Sequence, residues 1–119
     1  MKNLREIVSS WQGAALADVR RELRRHGFVT YTQAYDALQS RFSIFSEYYT
    51  KRKIDPYSEE FVERAFIEYF STIRKTAGLV TVTLPEAYAD KFGSRQIFGL
   101  GSRATVRRKY LEALTNHHE

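Results

Sequence analysis

Between residues 55 and 78 the apolar positions Phe61, Val62, Ala65, Phe66, Tyr69, Phe70, Ile73 and Ala77 recur at intervals of three and four, the spacing of one helical face. Asp55 is placed to cap the first free amides, Pro56 suits the first helical position, and Gly78 supplies a stop. Glu59, Glu60 and Glu63 near the start, and Arg74 and Lys75 near the end, complement the helix dipole. This helix is the expected core element, with Phe61, Phe66, Tyr69, Phe70 and Ile73 buried. Upstream, Leu4, Ile7, Val8 and Trp11 predict a helix over residues 2–12 that ends at Gly13, and Leu16, Val19 and Leu23 predict a second over 14–26 that ends at Gly27. Phe28 and Val29 suit a short strand. Thr30 or Thr32 then caps a helix near 33–43 carrying Ala34, Tyr35, Ala37, Leu38 and Phe42. Residues 43–54 fit either a continued helix or an exposed basic connection.

Downstream, Leu79-Val80-Thr81-Val82-Thr83-Leu84 alternates large apolar residues with threonine and is closed by Pro85, the strongest strand pattern in the chain. A short helix from Pro85 to about Phe92 is expected next, interrupted by Gly93-Ser94. Residues 95–101 are either a strand pairing with 79–84 or a tight turn into the last helix. Ser102 is the expected cap of a helix over 103–115 with Val106, Tyr110, Ala113 and Leu114 inward. The expected fold is therefore mainly α, of the α+β class: a single helical domain over residues 1–119 with a small two-stranded β element.

Composition narrows the chemistry. The 119 residues include no cysteine, which excludes disulfides and thiolate metal sites. The start lacks the apolar run of a signal peptide, and nothing approaches the length of a membrane span. A cytoplasmic, soluble protein without a membrane partner is expected. Nineteen Lys and Arg against fourteen Asp and Glu give a formal net charge of +5, a modest excess that suits a polyanion. Its distribution is more telling. Residues 91–109 hold Lys91, Arg95, Arg103, Arg107, Arg108 and Lys109 with no acid, while the acids gather around the central helix. Arg20, Arg21, Arg24 and Arg25 form like-charged pairs one turn apart, which an anionic partner would relieve. Gly99-Leu100-Gly101-Ser102-Arg103 places two glycines before a helix N-terminus, a local chemistry that accepts phosphate.

The stretch Ile97-Phe98-Gly99-Leu100-Gly101-Ser102-Arg103-Ala104 resembles the glycine-hydrophobic-glycine hairpin of helix-hairpin-helix modules, although Phe98 stands where those modules commonly carry proline. That resemblance implies backbone binding without base reading. The order of a helix ending at Gly27, a strand at Phe28 and Val29, a helix, then strands near 79–84 and 95–100 is similar to winged-helix DNA-binding domains. The acidic first turn of the central helix suits base reading poorly. Tyr48 and Tyr49 resemble the paired tyrosines of some strand-nicking initiators, but the histidine pair those enzymes require is missing. His26, His117 and His118 make no zinc spacing, and Asp55, Glu60, Glu63 and Glu68 read as salt-bridge partners rather than magnesium ligands. The sequence thus predicts a non-catalytic protein, with no metal or cofactor, that binds nucleic acid. Duplex DNA is favoured over RNA, with contacts from Arg20, Arg21, Arg24, Arg25, Arg95, Gly99, Gly101, Ser102, Arg103, Arg107, Arg108 and Lys109. The alternative is a small basic protein-interaction module, a ribonucleoprotein subunit or an inhibitor that docks on an acidic surface. A protein partner or self-association is compatible with either reading.

Overall fold

A computed structural model describes residues 4–44, 59–90 and 94–116. Its first element, α1, is one helix of 23 residues, Leu4–His26, rather than two helices broken at Gly13. A glycine inside a helix costs only about 1 kcal/mol relative to alanine. Against that, Val8, Trp11, Ala15, Val19 and Leu23 form one buried stripe through both halves, so packing holds the helix continuous. After β1 (Phe28–Thr30) comes α2 (Tyr31–Ile44). The Gln33 amide donates to Thr30 Oγ1 at 3.0 Å and the Thr30 amide to Gln33 Oε1 at 2.9 Å, a reciprocal capping box. Thr30 is thus the cap, and the helix begins two residues earlier than its apolar pattern implies. The hydroxyl of Thr32 donates instead to the Asp90 carboxylate.

The central helix, α3, runs Glu59–Arg74; the expected caps Asp55 and Pro56 lie outside the described residues, as do Tyr48 and Tyr49. Beyond Arg74 the chain turns, with the Thr76 amide on Ile73 O at 3.1 Å and the Leu79 amide on Thr76 O at 3.1 Å. Ala77, expected on the buried face, is consequently exposed. Strand β2 covers Leu79–Thr83; in the described part of the helix expected from Pro85 a 3-10 turn, Glu86–Tyr88, stands before non-helical Ala89 and Asp90, and the expected end at Phe92 lies outside the described residues. Residues 96–100 are strand β3, Gln96–Leu100, followed by α4, Arg103–Asn116. A strand, not a helix, therefore leads into Gly101-Ser102, which removes the basis of the helix-hairpin-helix resemblance.

The β element has three strands rather than two, all antiparallel, in the order β1-β3-β2. Phe28, Val29 and Thr30 lie opposite Gly99, Phe98 and Ile97, while Leu79 through Thr83 lie opposite Leu100 through Gln96. Because strand side chains alternate between faces, the sheet has two apolar sides. Val29 and Phe98 join the aromatic and aliphatic side chains of α1, α2 and α3 in one cluster, whereas Phe28, Val82, Leu84 and Ile97 join Val106 of α4 in another. The sheet thus separates a three-helix layer from α4. The expected core residues Phe66, Tyr69, Phe70 and Ile73 are buried in the first cluster; Phe61 lies outside the described side chains.

Tyr69, 1 % exposed, donates from its hydroxyl to Ala34 O at 2.7 Å and so ties α3 to α2. Burial pushes its pKa well above the ordinary value, and repulsion of the phenolate by Asp18 adds to the effect, with Arg41 opposing both. Asp18 itself pairs with Arg41 at 2.9 Å and with Arg21 at 3.0 Å. A raised pKa in the folded chain means that the unfolded chain releases this proton first. Stability is therefore intact below the ordinary tyrosine pKa of about 10 and declines as pH rises above it. Urea midpoints across that range should fall for the natural chain. Tyr69→Phe should flatten the decline while costing about 1 kcal/mol at neutral pH. A smaller slope should persist from Tyr110, whose pKa is raised by burial and then by Asp90. An identical alkaline slope in Tyr69→Phe would exclude this origin.

Candidate nucleic-acid interface

The last helix begins at a well-made cap. The Thr105 amide donates to Ser102 Oγ at 3.2 Å, the Val106 amide donates to Ser102 O at 3.0 Å, and the Ser102 hydroxyl contacts Thr105 Oγ1 at 2.9 Å. No hydrogen-bond acceptor among the described residues meets the amides of Arg103 and Ala104, at the positive end of the helix dipole. Gly101 precedes the cap with φ at +110° and nothing within 4 Å of the position a Cβ would take, so only glycine makes this bend without strain. Its amide donates to Gly78 O at 3.3 Å, fastening the loop to the turn after α3.

Because Val106 is fully buried against the sheet, Arg103, Arg107 and Arg108 stand on the exposed outer side of α4. Arg103 Nε donates to Thr81 O at 3.4 Å, and Arg108 pairs with Glu112 at 3.2 Å; a pair this exposed contributes little to stability. Arg107 has no carboxylate partner among the described residues. Lys109 differs from its neighbours. Its side chain crosses Gly27, where a Cβ would come within 2.9 Å of Lys109 Cδ and Nζ. The ammonium therefore rests at the carbonyl end of α1, a favourable place for a cation.

The other basic segment lies on α1. Arg20, Arg21, Arg24 and Arg25 are exposed on the C-terminal half of α1, whose last turn meets α4 through Gly27 and Lys109. Arg21 is engaged by Asp18, and Glu22 lies 3.4 Å from His26 rather than on an arginine. Arg20, Arg24 and Arg25 have no ion pair among the described residues.

Two expected contributors fall elsewhere. Gly99 is buried within β3, where a Cβ would lie 2.5 Å from Val106 Cγ2 and 2.8 Å from Gly27 O. Its missing side chain makes room for α4 and the end of α1, so it is not an approach point for phosphate. Arg95 lies before the opposite end of β3 from Arg103 and is thereby removed from the α4 arginines. Among the expected salt-bridge acids of the central helix, Glu63 and Glu68 are exposed and make no salt bridge with a described residue, while Asp55 and the side chain of Glu60 lie outside the described residues.

Arg95 belongs to a cleft of about 830 Å³ that it shares with Tyr31, Tyr35, Asp36, Arg74, Thr83 and Gln96. Tyr31 stacks on Phe70 with centroids 4.4 Å apart and planes 8° apart, and Tyr35 on Phe66 at 4.6 Å and 25°. Tyr35 is 38 % exposed. The guanidinium of Arg74 sits 5.7 Å from the Phe70 ring centre and 5.8 Å from that of Phe98, within cation–π range. The only local signal of this cleft is the four-residue spacing of Tyr31 and Tyr35, which reads equally well as core. Among the described residues no three His, Asp or Glu side chains cluster as a metal site, and no helix is long and apolar enough to cross a membrane. No family model, curated protein or solved structure matches the chain, so the chemistry of these surfaces rests on its own residues.

Proposed function

We propose that the chain is a non-catalytic nucleic-acid-binding protein that grips duplex DNA by its phosphates, with the start of α4 as the principal contact. The observation that carries this reading is the Ser102 cap, where two unbonded amides stand beside Arg103 and Arg107, exposed one helical turn apart. Amides at a helix N-terminus and nearby guanidinium groups both favour phosphate oxygens. Exposed Arg20, Arg24 and Arg25 on α1 supply further cations, and neutralisation of phosphates is a sum over such contacts. An intracellular location accompanies this reading.

The order of elements supports a winged-helix-like arrangement: helix, short strand, two helices, then a hairpin whose second strand also pairs with the first. In such an arrangement α3 would be the natural reader of base edges. Exposed Glu63 and Glu68 on its outer side oppose a close approach to phosphates, so backbone contacts should outnumber base contacts. A protein-interaction module is the second reading. It is favoured by Ile67, 61 % exposed on α3, as an apolar anchor.

Arg103→Ala and Arg107→Ala are to be compared with Arg64→Ala, an exposed arginine of α3, on two unrelated duplexes. Each of the first two should reduce the log-log salt slope by about one and weaken both duplexes alike. Arg64→Ala should change neither. Equal losses in all three variants would mean that only total charge matters, and natural affinity in the first two would remove the site.

A further inference from the structure

We propose that the cleft between the start of α2, the end of α3 and the β2–β3 hairpin binds a mononucleotide, its base against Tyr31 and Tyr35 and its phosphate between Arg74 and Arg95. The two tyrosine rings lie within 24° of parallel, with centroids 6.4 Å apart. Each has one face occupied by a phenylalanine of α3, and both rings line the cleft. They form an aromatic platform, backed by α3, of the kind on which a planar base stacks. Arg74 is held at the edge of the same aromatic layer by the Phe70 and Phe98 rings. Neither Arg74 nor Arg95 is paired with a carboxylate among the described residues, and two guanidinium groups suit a phosphate dianion better than a single carboxylate.

Asp36 also lines the cleft. It would repel inorganic phosphate or a simple aromatic acid, whereas the hydroxyls of a ribose or the amino group of a base can donate to it. A nucleotide supplies the ring, the dianion and the donor together. The volume, about 830 Å³, falls in the ordinary range for small-molecule sites. This site is independent of the α4 surface. Gln96 and Phe98 point to the cleft side of β3, while Ile97 and Gly99 point to α4.

The test is calorimetric titration of the full chain at low salt with AMP, GMP, CMP and UMP, beside the corresponding nucleosides, inorganic phosphate and L-tryptophan. At least one monophosphate should bind with a Kd below about 1 mM, with its nucleoside, phosphate and tryptophan each at least tenfold weaker. Arg95→Ala and Tyr35→Ala should each weaken that nucleotide at least tenfold, Tyr35→Phe should retain it, and Arg107→Ala should leave it unchanged. Arg95 is exposed, so its variant tests the site even if Tyr35→Ala fails to fold. Retention of the duplex salt slope in Arg95→Ala would separate this site from the DNA surface. The proposal is overturned if no monophosphate binds, if phosphate or tryptophan binds as tightly as the best nucleotide, or if Arg107→Ala costs as much as Arg95→Ala.

Discussion

Phe98→Ala is expected to lower the free energy of unfolding by roughly 3–5 kcal/mol, a large part of the 5–15 kcal/mol typical of a whole domain. Phe98 is fully buried in the middle of the central strand, between Val29 on β1 and Thr81 on β2. Its ring lies 6.2 Å from Phe70 and 6.5 Å from Tyr31, and the Arg74 guanidinium rests 5.8 Å from its centre. Its loss leaves a cavity where all three strands meet the helical layer, and rigid aromatic neighbours close such a void poorly. Phe66→Ala, at a position 9 % exposed, should also destabilise but toward the lower end of the same range. Urea unfolding followed by tyrosine fluorescence measures both, and an unchanged midpoint for Phe98→Ala would show that the sheet does not rest on this ring.

The second large effect comes from addition rather than removal. Gly99→Val should cost about 3 kcal/mol, the upper end of the usual range for overpacking, because its Cβ would enter within 2.5 and 2.7 Å of the two Val106 methyl groups and 2.8 Å of Gly27 O. The methyl groups can yield only by lifting α4, and the carbonyl only by moving the end of α1. Both ends of the proposed DNA surface are thus displaced, and binding should fall with stability. Trimming the neighbour gives a specific check: Val106→Ala should offset part of the loss in Gly99→Ala, a coupling between contacting residues that separate effects would not show. Strict additivity would place the clash elsewhere. Gly101→Val differs in kind, since open space surrounds that position and only its φ of +110° resists a side chain.

The sequence pattern was most informative where the signal is local. The three- and four-residue spacing of Ala65, Phe66, Tyr69, Phe70 and Ile73 and the Ser102 cap each depend on neighbours within one or two helical turns. The break expected at Gly13 failed because a local propensity of about 1 kcal/mol was set against a stripe of side chains whose partners lie in other segments. β1 was visible only as a possibility, since three residues carry no period and its partner strand lies far along the chain. Gly99 and Gly101 look alike in sequence, yet one serves close packing and the other a left-handed bend, and only the register of β3 separates them. Arg95 shares an acid-free run with the α4 arginines in the sequence. The length of β3 carries it to another surface, beside Arg74, Tyr31 and Tyr35, which no local pattern could assemble.

Phosphate contacts are expected to outnumber base contacts, and the salt dependence of binding to two duplexes of unrelated sequence tests this most directly. Each phosphate neutralised contributes about −0.9 to the slope of log K against log salt concentration, so four contacts would give roughly −4. The predicted result is a linear fall of about that steepness, the same for both duplexes, with affinities that differ little. A slope near zero, or no binding of either duplex at about 50 mM salt, would contradict it.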